Sequence, residues 1–398
     1  MIPAATRGLH RLGLGSVLDA FMDAHPLKHG IRWGTDWSWR DGDHASPRIR
    51  RDAFDTALAD AAADVGAKVV RHARMPEFGG EDPRTIVVRA TGAATWARGR
   101  PDATIVEHLP ETVALSARTA VGDGPRDASI IEAVPQGWWW WLPLSEGDVL
   151  CTLVADAEEV RKASPSAVFA SAIRAAEGPA RTLRTPAVAG RVATAWRRRS
   201  FAGWLVGDAA SRLDPLSSQG IEKALASAEH VAAGVSRVFE HPGESESVRA
   251  WLDRWDAGLF AAHARRTLAY YASEERFADA PFWTRRRAAY VEREAPTRTV
   301  EPTTRLRPAK DAVGVDDYRF DDDRLVPQKA WLGRGARTAV AQLSGIAVAR
   351  WWELLADGRT VEDAVGAARA HPVFGTQSAA GVARQLAEMV RLGLVDVT

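Results

Sequence analysis

Cysteine is almost absent: Cys151 is the single thiol in 398 residues. That excludes an intrachain disulfide and a zinc site built on paired thiolates. No stretch approaches the ~20 consecutive apolar residues that a bilayer span requires. The opening Met1-Ile2-Pro3 also lacks the basic and apolar regions of a signal peptide, so the expected setting is a reducing cytoplasm with no membrane partner. Charge of one sign is missing too. The chain has 52 Lys+Arg against 51 Asp+Glu, a net +1, which is no footprint for a nucleic-acid binder. Arg197-Arg198-Arg199 and Arg285-Arg286-Arg287 therefore read as solvated faces or anion contacts. There is no P-loop, HExxH or GxSxG motif. His25 and His29 are four apart but have Pro26 between them and no third ligand, so no metal is expected. Tyrosine is scarce, at 4, against 16 Trp.

What is present is globular: 46% hydrophobic and 26% charged residues, in a chain long enough for several substructures. Apolar spacing predicts helices over 4–24 and 50–65, the second stopped by Gly66. Short strands are expected at 67–70 and 85–90, the latter ending in Thr91-Gly92. From 112 to 155 the grammar changes to four strands (112–119, 129–134, 137–142 and 149–155) with a hairpin turn at Ser145–Asp148. Helices follow at 164–176, 220–239 and 247–276. Weak periodicity with Pro, Thr and charge over 292–316 predicts a linker. Three helices (338–355, 360–370, 379–392) and a closing strand at 393–397 complete a small winged-helix-like module. The fold class is α/β with an inserted, mainly antiparallel sheet.

The most informative stretch is WLVGDAASRLDPLSSQGIEKALASAEHV, from Trp204 to Val231. A hydrophobic strand ends at Gly207-Asp208, a turn carries Pro215, and Gly220 opens a helix. An Asp at the carboxyl end of a strand can accept from polyol hydroxyls. A glycine-started helix offers free N–H groups and a positive dipole end to electron-rich atoms. This G-D-A-A…D-P…G pattern resembles the second flavin-binding motif of the FAD-dependent monooxygenases and halogenases of the hydroxybenzoate-hydroxylase-like fold. The resemblance implies FAD as cofactor. It puts Asp208, next to Gly207, on the ribityl chain and Pro215, Ser218, Gln219, Gly220 and Ile221 on the flavin edge.

Other stretches follow in the same order. The helix begun at Arg51 resembles the one whose Arg reaches toward the cofactor, and Ala90-Thr91-Gly92 resembles the strand-end turn against which FAD packs. Trp138-Trp139-Trp140-Trp141-Leu142-Pro143 resembles the W-x-W-x-I-P motif of tryptophan halogenases and their non-halogenating relatives. Alternation on a strand sets Trp138 and Trp140 on one face. With Pro143, that face is expected to line a substrate cavity. The segment 343–397 resembles the peptide-recognition domains of modified-peptide biosynthesis.

Two departures shape the functional expectation. The fingerprint G-x-G-x-x-G is absent, Gly13-Leu14-Gly15 being a decoy, so the first βαβ unit is expected to be missing. Ser217 also stands where tryptophan halogenases carry Glu, and Lys28 reads better as a surface lysine than as the halogenase lysine. The expected division is 1–110, a partial FAD-binding domain; 111–200, the substrate sheet; 201–295, the second flavin motif and helices; 296–320, a linker; and 321–398, the winged-helix-like module. The expected activity is flavin-dependent hydroxylation of an aromatic small molecule or of a Trp side chain in a partner protein, as in the flavoproteins that mature tryptophan-derived quinones. Electrons would come from a flavin reductase or NAD(P)H. Halogenation, or a non-catalytic escort role, is the alternative. No catalytic base is named by the sequence.

Overall fold

In the computed structural model, which describes residues 3–19, 27–41, 49, 51–73, 85–93, 103–144, 147–184, 187–200, 203–293, 300–321, 323–336, 339–374 and 377–398, all four mid-chain strands form. They belong to one seven-stranded sheet. Its strands are β1 (Lys28–Arg32), β2 (Trp37–Arg40), β3 (Thr112–Ala120), β4 (Ala128–Val134), β5 (Gly137–Pro143), β6 (Asp148–Asp156) and β7 (Ala189–Val192). The spatial order is β2-β1-β4-β5-β6-β3-β7. Every neighbouring pair is antiparallel except β1 and β4, which run parallel. The polar, Trp-bearing stretch after position 27 thus supplies two strands that the sequence did not announce.

Period-two alternation decides which tryptophans build the core. Trp139 and Trp141 face the helix Pro165–Ala175 side and join a cluster with Leu115, Ile130, Leu153 and Phe169. Trp139 meets Phe169 edge-on at 4.8 Å between centroids and donates to the Ala172 carbonyl. Trp141 donates to the Pro125 carbonyl. The β4–β5 hairpin closes at Gly137, where φ is +147° and a Cβ would stand 1.9 Å from the Val154 carbonyl oxygen. Only glycine admits that approach.

Four helices matter for the site: α1 (Arg51–Asp64), α2 (Gly220–Glu240), α3 (Ser245–Ala272) and α4 (Pro281–Arg293). Gly66, at φ +100°, follows α1 as its stop. The first expected helix is two, Pro3–Arg11 and Gly15–Asp19, with 20–24 outside the described residues. Residues 67–70 are irregular rather than a strand, and of 85–90 only Val88–Arg89 pairs, in parallel with Trp204–Leu205. Ser145 and Glu146, the expected turn, lie outside the described residues, although Leu144 N–H still donates to the Asp148 carbonyl.

The last third departs further from expectation. Where a linker was expected, Arg305–Pro308 is a strand set between Arg359–Thr360 and Val395–Val397, and Val313–Asp321 pairs with Arg324–Leu332 in a long ribbon. The helix expected from 338 begins only at Val348. Before it, Gln342–Leu343 and Ile346–Ala347 form a tight hairpin whose two turn residues, Ser344 and Gly345, have positive φ. The helices α5 (Val348–Leu355), α6 (Val361–Ala370) and α7 (Ala379–Arg391) pack Trp351, Leu355, Leu386 and Met389, together with Phe374 after α6, onto Leu306. Thr360 and Ser378 cap α6 and α7 by accepting from Asp363 and Gly381 N–H.

Contacts divide the chain into two units: Met1–Ala228 with Ala262–Arg293, and Glu229–Ala261 with Glu294–Thr398. Among the described residues no helix is long and apolar enough to cross a membrane.

Candidate functional site

Two adjacent parallel strands end side by side. Val88–Arg89 pairs with Trp204–Leu205, and Val206 N–H donates to the Arg89 carbonyl. Just beyond them come Thr91-Gly92 (Gly92 φ +62°) and Gly207-Asp208 (Gly207 φ +57°). Both predicted strand-end turns therefore sit at the carboxyl edge of one parallel pair, the place where open α/β sheets bind ligands.

The helix α2 is drawn tightly against that edge. Gly207 N–H donates to Ser227 Oγ at 2.8 Å, and the Lys223 ammonium donates to the Gly207 and Ser211 carbonyls at 2.5 and 2.7 Å. A Cβ on Gly207 would already touch that of Ala224 at 3.6 Å. The carboxylate of Asp208 is half-buried and has no hydrogen-bond or ion-pair partner among the described residues. Gly220, at the start of α2, is exposed, and a Cβ there would meet nothing within 4 Å. Ser218, in the left-handed region at φ +53°, closes the Asp214–Ser217 turn before it, and Gln219 and Ile221 flank the helix start. A half-buried acceptor without a partner and an unobstructed helix N-terminus fit the ribityl and ring end of FAD. No glycine-rich strand–helix turn for its pyrophosphate occurs among the described residues.

Beneath Pro215 lies a network that the sequence did not reveal. Asp214, fully buried, accepts from Leu216 N–H at 3.0 Å and from the Tyr271 hydroxyl at 2.9 Å. Tyr271 in turn accepts from Trp138 Nε1–H at 3.1 Å. The Asp214 amide donates to His263 Nε2 at 2.9 Å, which places the imidazole proton on Nδ1. Burial pushes the Asp214 carboxyl above the usual carboxylate range, against the Leu216 amide, Arg286 and Tyr271. Burial, and then Arg266, lowers His263 to about 4.

The consequence for stability has a definite sign. Between about 6.5 and about 4 the unfolded chain protonates His263 while the folded chain does not, so its contribution falls as pH drops through that window. Asp214, protonated early in the fold, works in the opposite direction. The wild-type minus His263→Gln stability difference isolates the histidine. In urea unfolding at pH 7.5 and 4.5 it is expected to shrink by about 2 kcal/mol at the lower pH.

The remaining predicted residues fall as follows. Arg51 is exposed and forms a two-pronged pair with Asp55, at 3.0 and 3.1 Å, rather than reaching out from α1. Trp138, 2% exposed, is spent on Tyr271, whereas Trp140, on the same face, is 36% exposed and donates to Ser129 Oγ. Pro143 is buried opposite Val149. Thr91 is exposed. Lys28, 58% exposed, lies 3.7 Å from Asp127 in a cavity of about 450 Å³ with Trp39, Arg40 and Pro125. The basic runs are mixed: Arg199 is exposed, and Arg285 makes the expected anion contacts with Asp156 and Glu158. Arg286 is buried against Phe282 and Tyr271, Arg197 pairs with the buried Glu107, and Arg198 lies 4.0 Å over the Trp196 ring. Of the residues that were missed, Asp214 carried the best signal, an Asp before Pro at the head of a turn.

The chain is similar to known proteins. The tryptophan halogenase family model matches residues 99–312. A tryptophan 2-halogenase of Chondromyces crocatus is 25% identical over 304 residues, which is 66% of this chain and 57% of that protein; the chain thus spans a little over half of that relative. Solved structures share the fold, these two among them. One is QhpG, a peptidyl tryptophan dihydroxylase essential for tryptophylquinone cofactor biogenesis, with TM-score 0.66, 22% identity, and coverage of 98% of this chain and 89% of that one. The other is CmlS, a flavin-dependent halogenase, with TM-score 0.70, 19% identity, and coverage of 100% and 88%. Since the family model accounts for more than half of its residues, the chain belongs to the tryptophan halogenase family, whose members are FAD-dependent oxidoreductases.

Proposed function

We propose that this protein binds FAD at the Thr91-Gly92 and Gly207-Asp208 turns and the start of α2, and that it hydroxylates an aromatic group, an indole of a peptide or partner protein. The single observation behind this reading is the Asp208 carboxylate, half-buried and without a partner beside an open helix N-terminus. When bound and reduced, FAD supplies the activation of dioxygen. The chain's own residues bind and orient. Asp208 accepts from hydroxyls, and the free N–H groups at Gly220 and Ile221 face electron-rich atoms. The Trp140 face offers an apolar wall that keeps water from the reacting atoms. A peptidyl substrate agrees with the dihydroxylase among the structural relatives and with the capped three-helix module, which we read as a peptide-binding winged helix.

Halogenation is the second reading and rests on the family match; its candidate lysine, Lys28, is 58% exposed and lies 3.7 Å from Asp127 in an open surface groove. The two chemistries separate in one assay. Protein supplied with FAD, a flavin reductase and NADH, with and without bromide, is given a Trp-containing peptide, and the products are weighed by mass spectrometry. Hydroxylation predicts a +16 product regardless of bromide and of Lys28→Ala. A bromide-dependent product lost in Lys28→Ala would replace the first reading by the second. Protein that takes up no FAD yet binds the peptide would leave only an escort role.

A further inference from the structure

Four groups from three separate parts of the chain form one continuous buried chain of hydrogen bonds. It runs from Trp138 Nε1 on β5, through the Tyr271 hydroxyl at the end of α3, to the Asp214 carboxylate, whose own amide ends on His263 Nε2. The intervals are 3.1, 2.9 and 2.9 Å, and all four side chains are buried. Asp214 is the first residue of the turn that leads to Gly220, and its carboxylate also holds the Leu216 amide at 3.0 Å. The far side of that turn, at Pro215, Ser218 and Gly220, is exposed. It is thus fixed from below at one residue and open above. At the other end, Trp138 shares its face with Trp140 two residues on, the half-exposed tryptophan of the same strand.

We propose that Tyr271 and His263 are positioning residues that set the Asp214–Gly220 turn for its ligand, and that through Trp138 they tie this turn to the Trp140 face of β5. The inference rests on the flavin reading for what the turn holds, but not for how the turn is held. Tyr271 is suited to the task because one phenol both accepts and donates. It converts an indole N–H, which can only donate, into a second donor aimed at a carboxylate. His263 acts through the backbone: as a neutral acceptor it fixes the Asp214 amide, so the residue is gripped at main chain and side chain together.

The test reads the turn itself. Hydrogen exchange at the amides of Leu216, Ser217 and Ser218 in the full chain without added flavin is expected to speed up about tenfold in Tyr271→Phe, the equivalent of one buried hydrogen bond. His263→Leu should do the same, whereas His263→Gln, which can still present an acceptor, should restore most of the protection. Phe169→Leu, in the core behind Trp139, supplies a comparable loss of melting temperature with no change at these amides. Should Tyr271→Phe not fold, Trp138→Phe, which keeps a ring and removes only the Nε1 donor, carries the same expectation at smaller size. Unchanged exchange at 216–218 in these variants overturns the inference whatever the melting temperature does. FAD titration of the same proteins keeps the two ideas apart. Fast exchange with flavin uptake equal to wild type would sink the ligand role of the turn, while slow exchange in every variant would sink the positioning role alone.

Discussion

Arg286→Met is expected to destabilise the sheet-bearing unit by about 4 kcal/mol, the scale for removing one partner from a buried charge cluster. The guanidinium is 1% exposed and donates to Thr112 Oγ1 at 2.6 Å and to the Phe282 carbonyl at 2.9 Å. It lies 3.6 Å from Asp156 Oδ2 and 3.5 Å over the Phe282 ring. Burial raises the Asp214 carboxyl, and the Arg286 charge opposes that rise. Methionine fills much of the volume but removes the buried cation beside Asp156, which then keeps only the partly exposed Arg285, and leaves the Thr112 hydroxyl and the Phe282 carbonyl without their donor. Arg285, one residue earlier, pairs with the same Asp156 but also with Glu158 at the surface, and it is a third exposed. Its replacement by alanine should cost under about 1 kcal/mol. Urea unfolding followed by Trp fluorescence compares the two. Equal losses within 1 kcal/mol would mean that burial of Arg286 contributes nothing particular.

That contrast shows where the sequence is readable and where it is not. Three consecutive arginines look like a solvated face, and on a helix successive side chains are turned by about 100°, so such a run spans about 200° and one of its members enters the core only where the helix is packed on more than one side. Arg285 reaches acids at the edge, Arg286 enters the core, and Arg287 donates to the carbonyls of Ala272, Glu274 and Ala278. The Trp138–Trp141 strand was legible because alternation alone assigns faces, and Trp139 and Trp141 do enter the core together. The start of α2 was legible because glycine after a Pro-bearing turn is a local signal. The strands at 305–332 were not, since a two-stranded ribbon with Asp316, Asp317 and Arg319 in it has no apolar period. Nor was the Asp214 network, whose partners lie 49 and 57 residues from it along the chain, while Tyr271 and Trp138 are 133 apart. Such separations leave no trace in local spacing.

Asp208→Ala, by contrast, should leave folding alone and strike at flavin. Among the described residues its carboxylate holds nothing, so truncation removes no internal bond, and the melting temperature is expected to stay within about 2 °C of wild type. If the carboxylate instead serves hydroxyls of the cofactor, its loss forfeits hydrogen bonds to a charged group, about 1.5–3 kcal/mol, or on the order of 10–100-fold in affinity. Asp208→Asn retains an acceptor oxygen without the charge and should fall between the two. Titration of FAD against the quenching of its own fluorescence reads all three proteins. A ligand role requires affinity to fall while stability does not. A carboxylate kept for structure would do the reverse, and one that merely decorates the surface would change neither. A residue placed at the carboxyl edge of a parallel strand pair, beside an unobstructed helix start and with no internal duty, is positioned for something the protein binds.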